Sequence, residues 1–231
     1  MNKNVLKCIS VCFTLILLFG SCEQIDIEDI KNDIVETSNV KIITRAETDI
    51  VYPLTLIAFD KASAEIVSHT KQNSAANTIS LNLPKGTYKF IAISGIELPD
   101  NIEGLTVEDI MEMSDGYTET PLIMGSADTN IKSDASVNIS MYNVVTALSF
   151  KLSEIPDNIE NVEITLSDLY SSINFNGEYA NAIPVTIACV KNNDKWITPT
   201  VYTFPSPNKK VVLSITMTDK NDNTQTYGYT Y

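Results

Sequence analysis

The chain has 231 residues with 16 Lys and Arg, 29 Asp and Glu and one His, which gives a formal net charge of -13. A nucleic-acid-binding protein needs a basic face for the phosphate backbone, so this acidic balance argues against one. With 44% hydrophobic and 19% charged residues, the chain can bury a core and is not intrinsically disordered. The single histidine, His69, leaves little for His-based acid–base or metal chemistry, so we expect neither an enzyme nor a bound cofactor.

The first 21 residues have the pattern of an export signal. Lys3 and Lys7 precede an apolar run, and small residues stand just before Cys22. The run is too short for a membrane-spanning helix, so residues 1–21 are predicted to be a cleaved signal peptide. The stretch from Leu18 to Cys22 resembles the lipobox of bacterial lipoproteins, in which the Cys receives acyl chains such as palmitate. An ordinary signal peptide followed by a chance Cys is the alternative.

The cysteine count agrees with a lipoprotein. Cys8 and Cys12 would leave with the signal and Cys22 would carry lipid, so Cys189 alone would remain and no disulfide could form within the chain. Cys189 lies in an apolar strand pattern, which favours a buried, inert thiol over a reactive one.

The mature chain is predicted to begin with a tether and to continue in short strands. Residues 22–38 contain six acidic residues and no core pattern, and an acidic stretch after the lipid-bearing Cys resembles signals that send some lipoproteins to the outer face of the outer membrane. Alternating or continuous apolar patterns then predict strands. In the first half these strands are residues 39–45, 52–60, 64–70, 78–83, 87–94, 121–126 and 136–142.

Two local signals refine the first half. Pro84 and Gly86 predict a turn that joins strands 78–83 and 87–94 into a hairpin. Residues 106–111 predict one short helix, because Thr106 can cap a helix and the apolar residues after it repeat at helical spacing.

The second half repeats the strand count. Turn residues at Asn176-Gly177, 192–194 and 219–223 separate several of the strands. The predicted strands are 144–152, 161–167, 171–175, 183–191, 196–204, 210–218 and 224–231. Two sets of seven fit two β-sandwiches better than one large barrel, so we predict domains at 39–143 and 144–231.

Several segments together resemble the fimbrillin family, which supplies the shaft, anchor and tip subunits of type V pili in anaerobic Gram-negative bacteria. They are the lipobox and residues 52–60, 83–92, 121–126 and 143–152, in the family's order, and residues 155–170 resemble the second domain of anchor-type members. The resemblance implies an all-β fold of two tandem transthyretin-like β-sandwiches with Greek-key type connections. It also implies an outer-membrane lipoprotein that acts in cell adhesion.

The resemblance singles out the first strand. In the family's shaft subunits an arginine-specific protease cuts after this strand, and a strand of the next subunit fills the groove. Residues 39–46 match that layout, with Arg45 before Ala46 as the cleavage point and Val40 and Ile42 as the core-facing residues of an exchangeable strand. The alternative is that Arg45 is only the solvated end of a strand.

The role within a pilus follows from the other end of the chain. The predicted strand 224–231 leaves nothing beyond it to donate, which favours an anchor, terminal or accessory subunit over a shaft subunit. The expected partners are other pilus subunits through strand exchange, membrane lipid through Cys22, and a host or bacterial surface ligand. The competing hypothesis is a surface glycan-binding lipoprotein in which exposed Tyr or Trp196 stacks on sugars.

Other patterns have ordinary structural explanations. Asp219, Asn221 and Asn223 are spaced like calcium ligands but lack the Gly and Glu that such a loop needs, so a hairpin turn is predicted. Glu108 and Glu112 would be solvated charges on the predicted helix. Residues 227, 229 and 231 are tyrosines on one face of the last strand, where core or edge packing is favoured over sugar or partner docking.

Overall fold

The computed structural model describes residues 35–75, 78–99, 102, 104–208 and 210–230, and these form strands and turns without a helix. The predicted signal peptide, Cys22 and most of the predicted tether lie outside the described residues. No helix in the described part is long and apolar enough to cross a membrane. The strands of the first half are β1 (Thr37–Ala46), β2 (Leu54–Asp60), β3 (Ile66–Gln72), β4 (Ile79–Pro84), β5 (Gly86–Ser94), β6 (Ile110–Glu112), β7 (Tyr117–Thr118), β8 (Ile123–Ile131) and β9 (Ala135–Asn143).

The second half contains nine further strands among its described residues. The predicted strands 161–167 and 171–175 are joined in one continuous strand that ends at Asn174, so the second half is less segmented there than predicted. A bulge between Leu166 and Leu169 accounts for the interruption in its pattern. The strands are β10 (Thr146–Leu148), β11 (Lys151–Leu152), β12 (Ile159–Asn174), β13 (Tyr179–Ala188), β14 (Val190–Asn192), β15 (Lys195–Ile197), β16 (Val201–Thr203), β17 (Val212–Asp219) and β18 (Thr224–Thr230).

The all-β class is confirmed, but the predicted helix at 106–111 is wrong. Thr106 and Asp109 instead form a turn, in which the Asp109 carboxylate accepts hydrogen bonds from the backbone N–H and the hydroxyl of Thr106. Ile110 then begins β6, which pairs with β12. A side chain that bonds the local backbone competes with helix formation, and a neighbouring strand supplies the pairing that the helix would have supplied.

The predicted hairpin at Pro84 is also wrong, although the chain does turn there. β4 pairs with β1, whereas β5 pairs with β2 and β8, so the two strands do not bond to each other. The Tyr88 hydroxyl donates to the Pro84 carbonyl at 2.9 Å and holds the corner. Pro and Gly therefore predicted the turn correctly but could not distinguish a hairpin from a connection between strands that are not neighbours in the sheet.

Seven strands of the first half, all those described except β6 and β7, form one curved sheet in the order β3-β2-β5-β8-β9-β1-β4. All its neighbours are antiparallel except β1 and β9, which are parallel. The second half has a sheet in the order β13-β12-β17-β18, to which β6 adds beside β12, and two small sheets, β10-β16-β7 and β11-β15-β14. Thus β6 and β7 pair with strands of the second half although they precede Asn143 in the chain.

Residues 36–231 form one compact unit, and its described residues contain four apolar clusters, of which the two in the second half are together named the second core. The first core lies inside the curved sheet and comprises Val40, Ile42, Leu54, Leu56, Ala58, Ile79, Leu81, Leu83, Tyr88, Phe90, Ala92, Ile123, Ile131, Val137, Ile139 and Met141. The junction core joins the two halves through Ile57, Phe59, Ile91, Ile93, Met111, Val144, Ile173, Phe175, Phe204 and neighbours. The second core lies in the second half, around Val162, Ile164, Leu166, Val185, Ile187, Trp196 and Val201.

The junction core explains why β2 and β5 have continuous apolar sequences. Leu56 and Phe90 point into the first core, while their neighbours Ile57 and Ile91 point into the junction core, and all four are at most 1% exposed. A strand buried on both faces shows no alternation. Those runs were the signal in the sequence that the two halves share an apolar contact.

Candidate functional site

The strand that the sequence marks for exchange, β1, lies inside the sheet and not at its edge. Residues Thr37–Ile42 pair antiparallel with β4, and Val40–Ala46 pair parallel with β9. Over residues 40–42 both backbone edges of β1 are therefore bonded. Without β1, β9 would have a free edge, and β4, which pairs with no other strand in the described part of the chain, would be held only by its residues in the first core. A free strand edge beside exposed apolar core residues is able to accept a strand from another chain.

The side chains of β1 follow the predicted phase. Val40 is fully buried and Ile42 is 1% exposed, both in the first core, while Lys41 is exposed and Ile43 is half-buried. Burial of an aliphatic side chain of this size contributes roughly 1.5–3 kcal/mol, so the two together contribute about 3–6 kcal/mol. A strand that replaced β1 would need apolar residues at the same two positions.

Polar contacts fix the start of β1 against both of its neighbours. The Lys85 ammonium, which follows β4, lies 2.7 Å from the Glu36 carboxylate. The backbone N–H of Asn39 donates to the Asp134 carboxylate, which precedes β9, at 2.8 Å. The hydrogen bond from Lys85, and then its charge, hold the pKa of the Glu36 carboxyl below its usual value. Both contacts are exposed, so they align the strand more than they stabilise it.

The predicted cleavage point lies at the less protected end of β1. Arg45 is exposed and is the one arginine of the whole sequence. It lies opposite Ser140 of β9, and Ala46 lies opposite Met141, but the pairing with β4 has already ended at Ile42. The Arg45–Ala46 bond therefore lies in a strand with one bonded edge, and a protease can reach it only when this segment leaves β9.

The remaining candidate residues of the sequence have structural roles in the described part of the chain. Cys189 is 7% exposed, and burial raises the pKa of its thiol, so an inert thiol is the correct interpretation. Trp196 is 5% exposed and has the Lys191 ammonium 5.8 Å from its ring centre, so its faces are not available for a sugar. Among the described residues, no group of three or more His, Cys, Asp or Glu side chains could hold a metal ion.

The Asp219 region is a hairpin turn, as predicted. The Asp219 carboxylate accepts backbone N–H bonds from Asn221 at 2.8 Å and from Asn223 at 2.9 Å, between the paired strands β17 and β18. The side-chain amide of Asn223 also donates to it. These hydrogen bonds, the one from the Asn223 side chain foremost, lower the pKa of Asp219. The carboxylate therefore stabilises the turn through these hydrogen bonds.

Glu108 and Glu112 were predicted to be solvated charges on a short helix, but this part of the described chain forms a turn and β6 instead. The Glu108 carboxylate instead accepts a hydrogen bond from the Asn176 side-chain amide at 2.8 Å, which links the turn before β6 to the turn between β12 and β13. Glu112 lies in β6, opposite Ser172.

The tyrosines of β18 lie on an edge strand and not in a core. Of the two packing modes that the sequence favoured, core packing is therefore wrong: Tyr227 is 45% exposed and Tyr229 is 48% exposed, and every described residue of β18 is exposed. Tyr231 lies outside the described residues. The alternating pattern gave the correct face relationship, but it could not show that the opposite layer of the sandwich fails to cover this strand.

Comparison with protein families gives a match over nearly all of the described chain. The family model of fimbrillin-A associated anchor proteins Mfa1 and Mfa2 matches residues 35–231. Comparison with curated protein sequences gave no significant match.

Solved structures with the same fold come from Porphyromonas and Bacteroides species. The fimbrial anchor protein Mfa2 of Porphyromonas gingivalis has a TM-score of 0.59 at 16% identity, over 84% of this chain and 82% of that one. A candidate polysaccharide-binding protein of Bacteroides thetaiotaomicron has a TM-score of 0.61 at 12% identity, over 81% and 78%. A candidate adhesin of Bacteroides ovatus has a TM-score of 0.57 at 10% identity, over 84% and 82%. At these identities the likeness shows the fold alone.

Proposed function

The chain belongs to the family of fimbrillin-A associated anchor proteins Mfa1 and Mfa2, and from that membership we propose that it is a cell-surface fimbrillin-type subunit of a type V pilus. The role is that of an anchor or of an accessory or terminal component, and it is structural and not enzymatic. Other subunits of the pilus would be joined to this protein by strand exchange. The observation that supports the proposal is the position of β1, which pairs with β4 on one side and with β9 on the other, on both sides at once over residues 40–42.

The attachment to the cell is proposed to be lipid on Cys22. The lipobox-like residues before Cys22 support this, and the acidic tether after it would separate the folded unit from the outer membrane. Each buried methylene of an acyl chain contributes about 0.8 kcal/mol, so several long chains hold a protein on a bilayer almost permanently. Replacement of Cys22 by Ala would then release the protein from the membrane fraction.

The fold is proposed to be two tandem transthyretin-like sandwiches, residues 39–143 and 144–231. The separate first and second cores support this division. The junction core and the strands β6 and β7 would clamp the two sandwiches together. A clamped pair suits a subunit that must transmit force between a membrane and a fibre.

For the first strand we propose that this protein keeps β1 and is self-capped. The strand already fills its groove with Val40 and Ile42, and the Arg45–Ala46 bond is held in pairing with β9. An anchor in that state needs no strand from another subunit in order to be folded. A shaft-like subunit would instead be cut after Arg45 and would accept a partner strand.

The experiment starts with mass spectrometry of the native protein from its membrane fraction. A mature N-terminus at acylated Cys22 is expected, whereas a chain that begins at Ala46 would contradict the self-capped proposal. Because Arg45 is the one arginine, an arginine-specific protease can cut the chain only there. The folded protein should therefore resist cleavage, with a rate limited by the opening of the β1–β9 pairing.

The matched control is Asn73→Arg, which places an arginine in an exposed bend between β3 and β4. This variant should be cut after residue 73 while Arg45–Ala46 stays intact. Equal rates of cleavage at both arginines would show that β1 is not held as a protected strand.

The glycan-binding alternative retains one supporting observation. Trp196 is buried and contributes nothing to it, but Tyr227 and Tyr229 present exposed rings on β18. Aromatic rings on an open sheet face are able to stack on sugars, so this remains the second candidate.

A further inference from the structure

The inner face of the second sandwich is covered at one side and open at the other. Along β12 the core residue Ile164 is fully buried, its partner Ile215 on β17 is half-buried, and the next partner Tyr227 on β18 is 45% exposed. These three residues lie side by side on the same face of the sheet, since directly opposite residues of antiparallel strands share a face. The packing therefore stops short of β18 among the described residues.

β18 is also a sheet edge without the usual protection. In the described part of the chain it pairs with β17 alone, its register is continuous, and Thr224–Thr230 contains no charged residue and no proline. The other long edge strands have protective features: β3 carries Lys71 and has a register shift near its start at Ile66, β4 ends at Pro84, and β13 contains Pro184. Edge strands that lack such features tend to pair with another strand.

The sequence of β18 indicates which strand it fits. Residues 226–230 read Thr-Tyr-Gly-Tyr-Thr and are the same in both directions about Gly228. Two copies that pair antiparallel about Gly228 would place Tyr227 opposite Tyr229 and Thr226 opposite Thr230. Aromatic pairs and Thr pairs are favourable cross-strand neighbours, and a two-fold axis satisfies both copies at once.

Charge also favours this strand as the contact between copies. The chain carries a net charge of -13, so most surfaces of two copies repel each other, whereas β18 is neutral along its length. We propose that β18 is a homodimerisation edge, at which two copies join their sheets antiparallel about Gly228 and cover the exposed tyrosines.

The register can be tested by a pair of charge variants at the same two positions. In Thr226→Lys/Thr230→Lys each new Lys would face a Lys of the partner copy. In Thr226→Lys/Thr230→Glu each Lys would face a Glu. Both positions are exposed, so neither variant removes core packing.

The measurement is sedimentation equilibrium of the full chain at up to about millimolar concentration, the range of weak association. The wild type should form dimers, the Lys/Lys variant should dissociate about tenfold more readily than the Lys/Glu variant, and both should melt at the same temperature. A monomeric wild type would overturn the proposal, and so would equal dimerisation by the two variants, since the contact would then lie elsewhere.

Discussion

Truncation of Ile42 to Ala tests how firmly β1 is held in its groove. Ile42 is 1% exposed, packs in the first core, and lies at the position where β1 is bonded to Ile79 of β4 and to Val137 of β9. Loss of a buried Ile side chain leaves a cavity and usually costs about 2–5 kcal/mol. β9 also pairs with β8, but β4 pairs with β1 alone among the described strands and is otherwise held by its residues in the first core, so the cavity can collapse in part. We therefore predict a loss near the middle of this range, about 3.5 kcal/mol in the free energy of unfolding.

The control is the same substitution one residue later. Ile43 points to the opposite face, is half-buried, and lies beyond the end of the pairing with β4. Ile43→Ala removes the same atoms from a partly solvated position, so it should cost about 1 kcal/mol or less. Lys41→Ala, at an exposed position, should have almost no effect.

Thermal and urea unfolding of the three variants provide the measurement. For a folded unit of this size, 1 kcal/mol corresponds to about 2–4 °C, so Ile42→Ala should lower the melting temperature by about 7–14 °C. Equal losses for Ile42→Ala and Ile43→Ala would refute the assigned phase of β1. A loss below about 1 kcal/mol for Ile42→Ala would show that the strand is loosely held and would weaken the self-capped proposal.

Two further predictions concern a glycine and a turn. Gly95 has φ of 92°, and a Cβ there would lie 1.8 Å from the Pro121 carbonyl oxygen, so Gly95→Ala should lower the free energy of unfolding by about 3 kcal/mol or more. The control is Gly104→Ala, at a position with φ of 86° and open space around the new Cβ, which should lower it by about 1 kcal/mol in the same melting assay. Asp219 has a lowered pKa, so its contribution to stability is present above the ordinary carboxyl pKa and is lost as the pH falls through the lower folded value. Asn223→Ala removes the largest cause and should raise the pKa of Asp219 in an NMR titration, and an unchanged pKa would contradict this account of the turn.

Local signals in the sequence predicted most individual strands. Val137, Ile139 and Met141 alternate with polar residues because β9 buries one face, and all three are in the first core. The turn at Asn176-Gly177 likewise joins β12 and β13 into a hairpin, where Gly177 has φ of 85°. Such patterns depend on the backbone geometry of a few neighbouring residues, which the sequence contains directly.

The errors arose where distant segments decide local structure. Residues 106–111 have helical spacing, yet β12 offers β6 a strand partner from about sixty residues further along the chain. Strand pairing with a remote segment cannot be recognised from a short window of sequence. For the same reason β7 was not predicted, since two residues, Tyr117 and Thr118, gain their conformation from β16.

Some properties of the candidate site also follow from local sequence, whereas others depend on distant segments. The sequence by itself determined which residues of β1 enter the core and where the arginine lies, because both follow from the two-residue period of a strand and from composition. Only the tertiary structure decided that β1 is bonded on both sides by β4 and β9, that its pairing with β4 ends before Arg45, and that β18 remains open. These properties depend on the order of strands in the sheets and on how far one layer covers another, which are set by the packing of the whole chain.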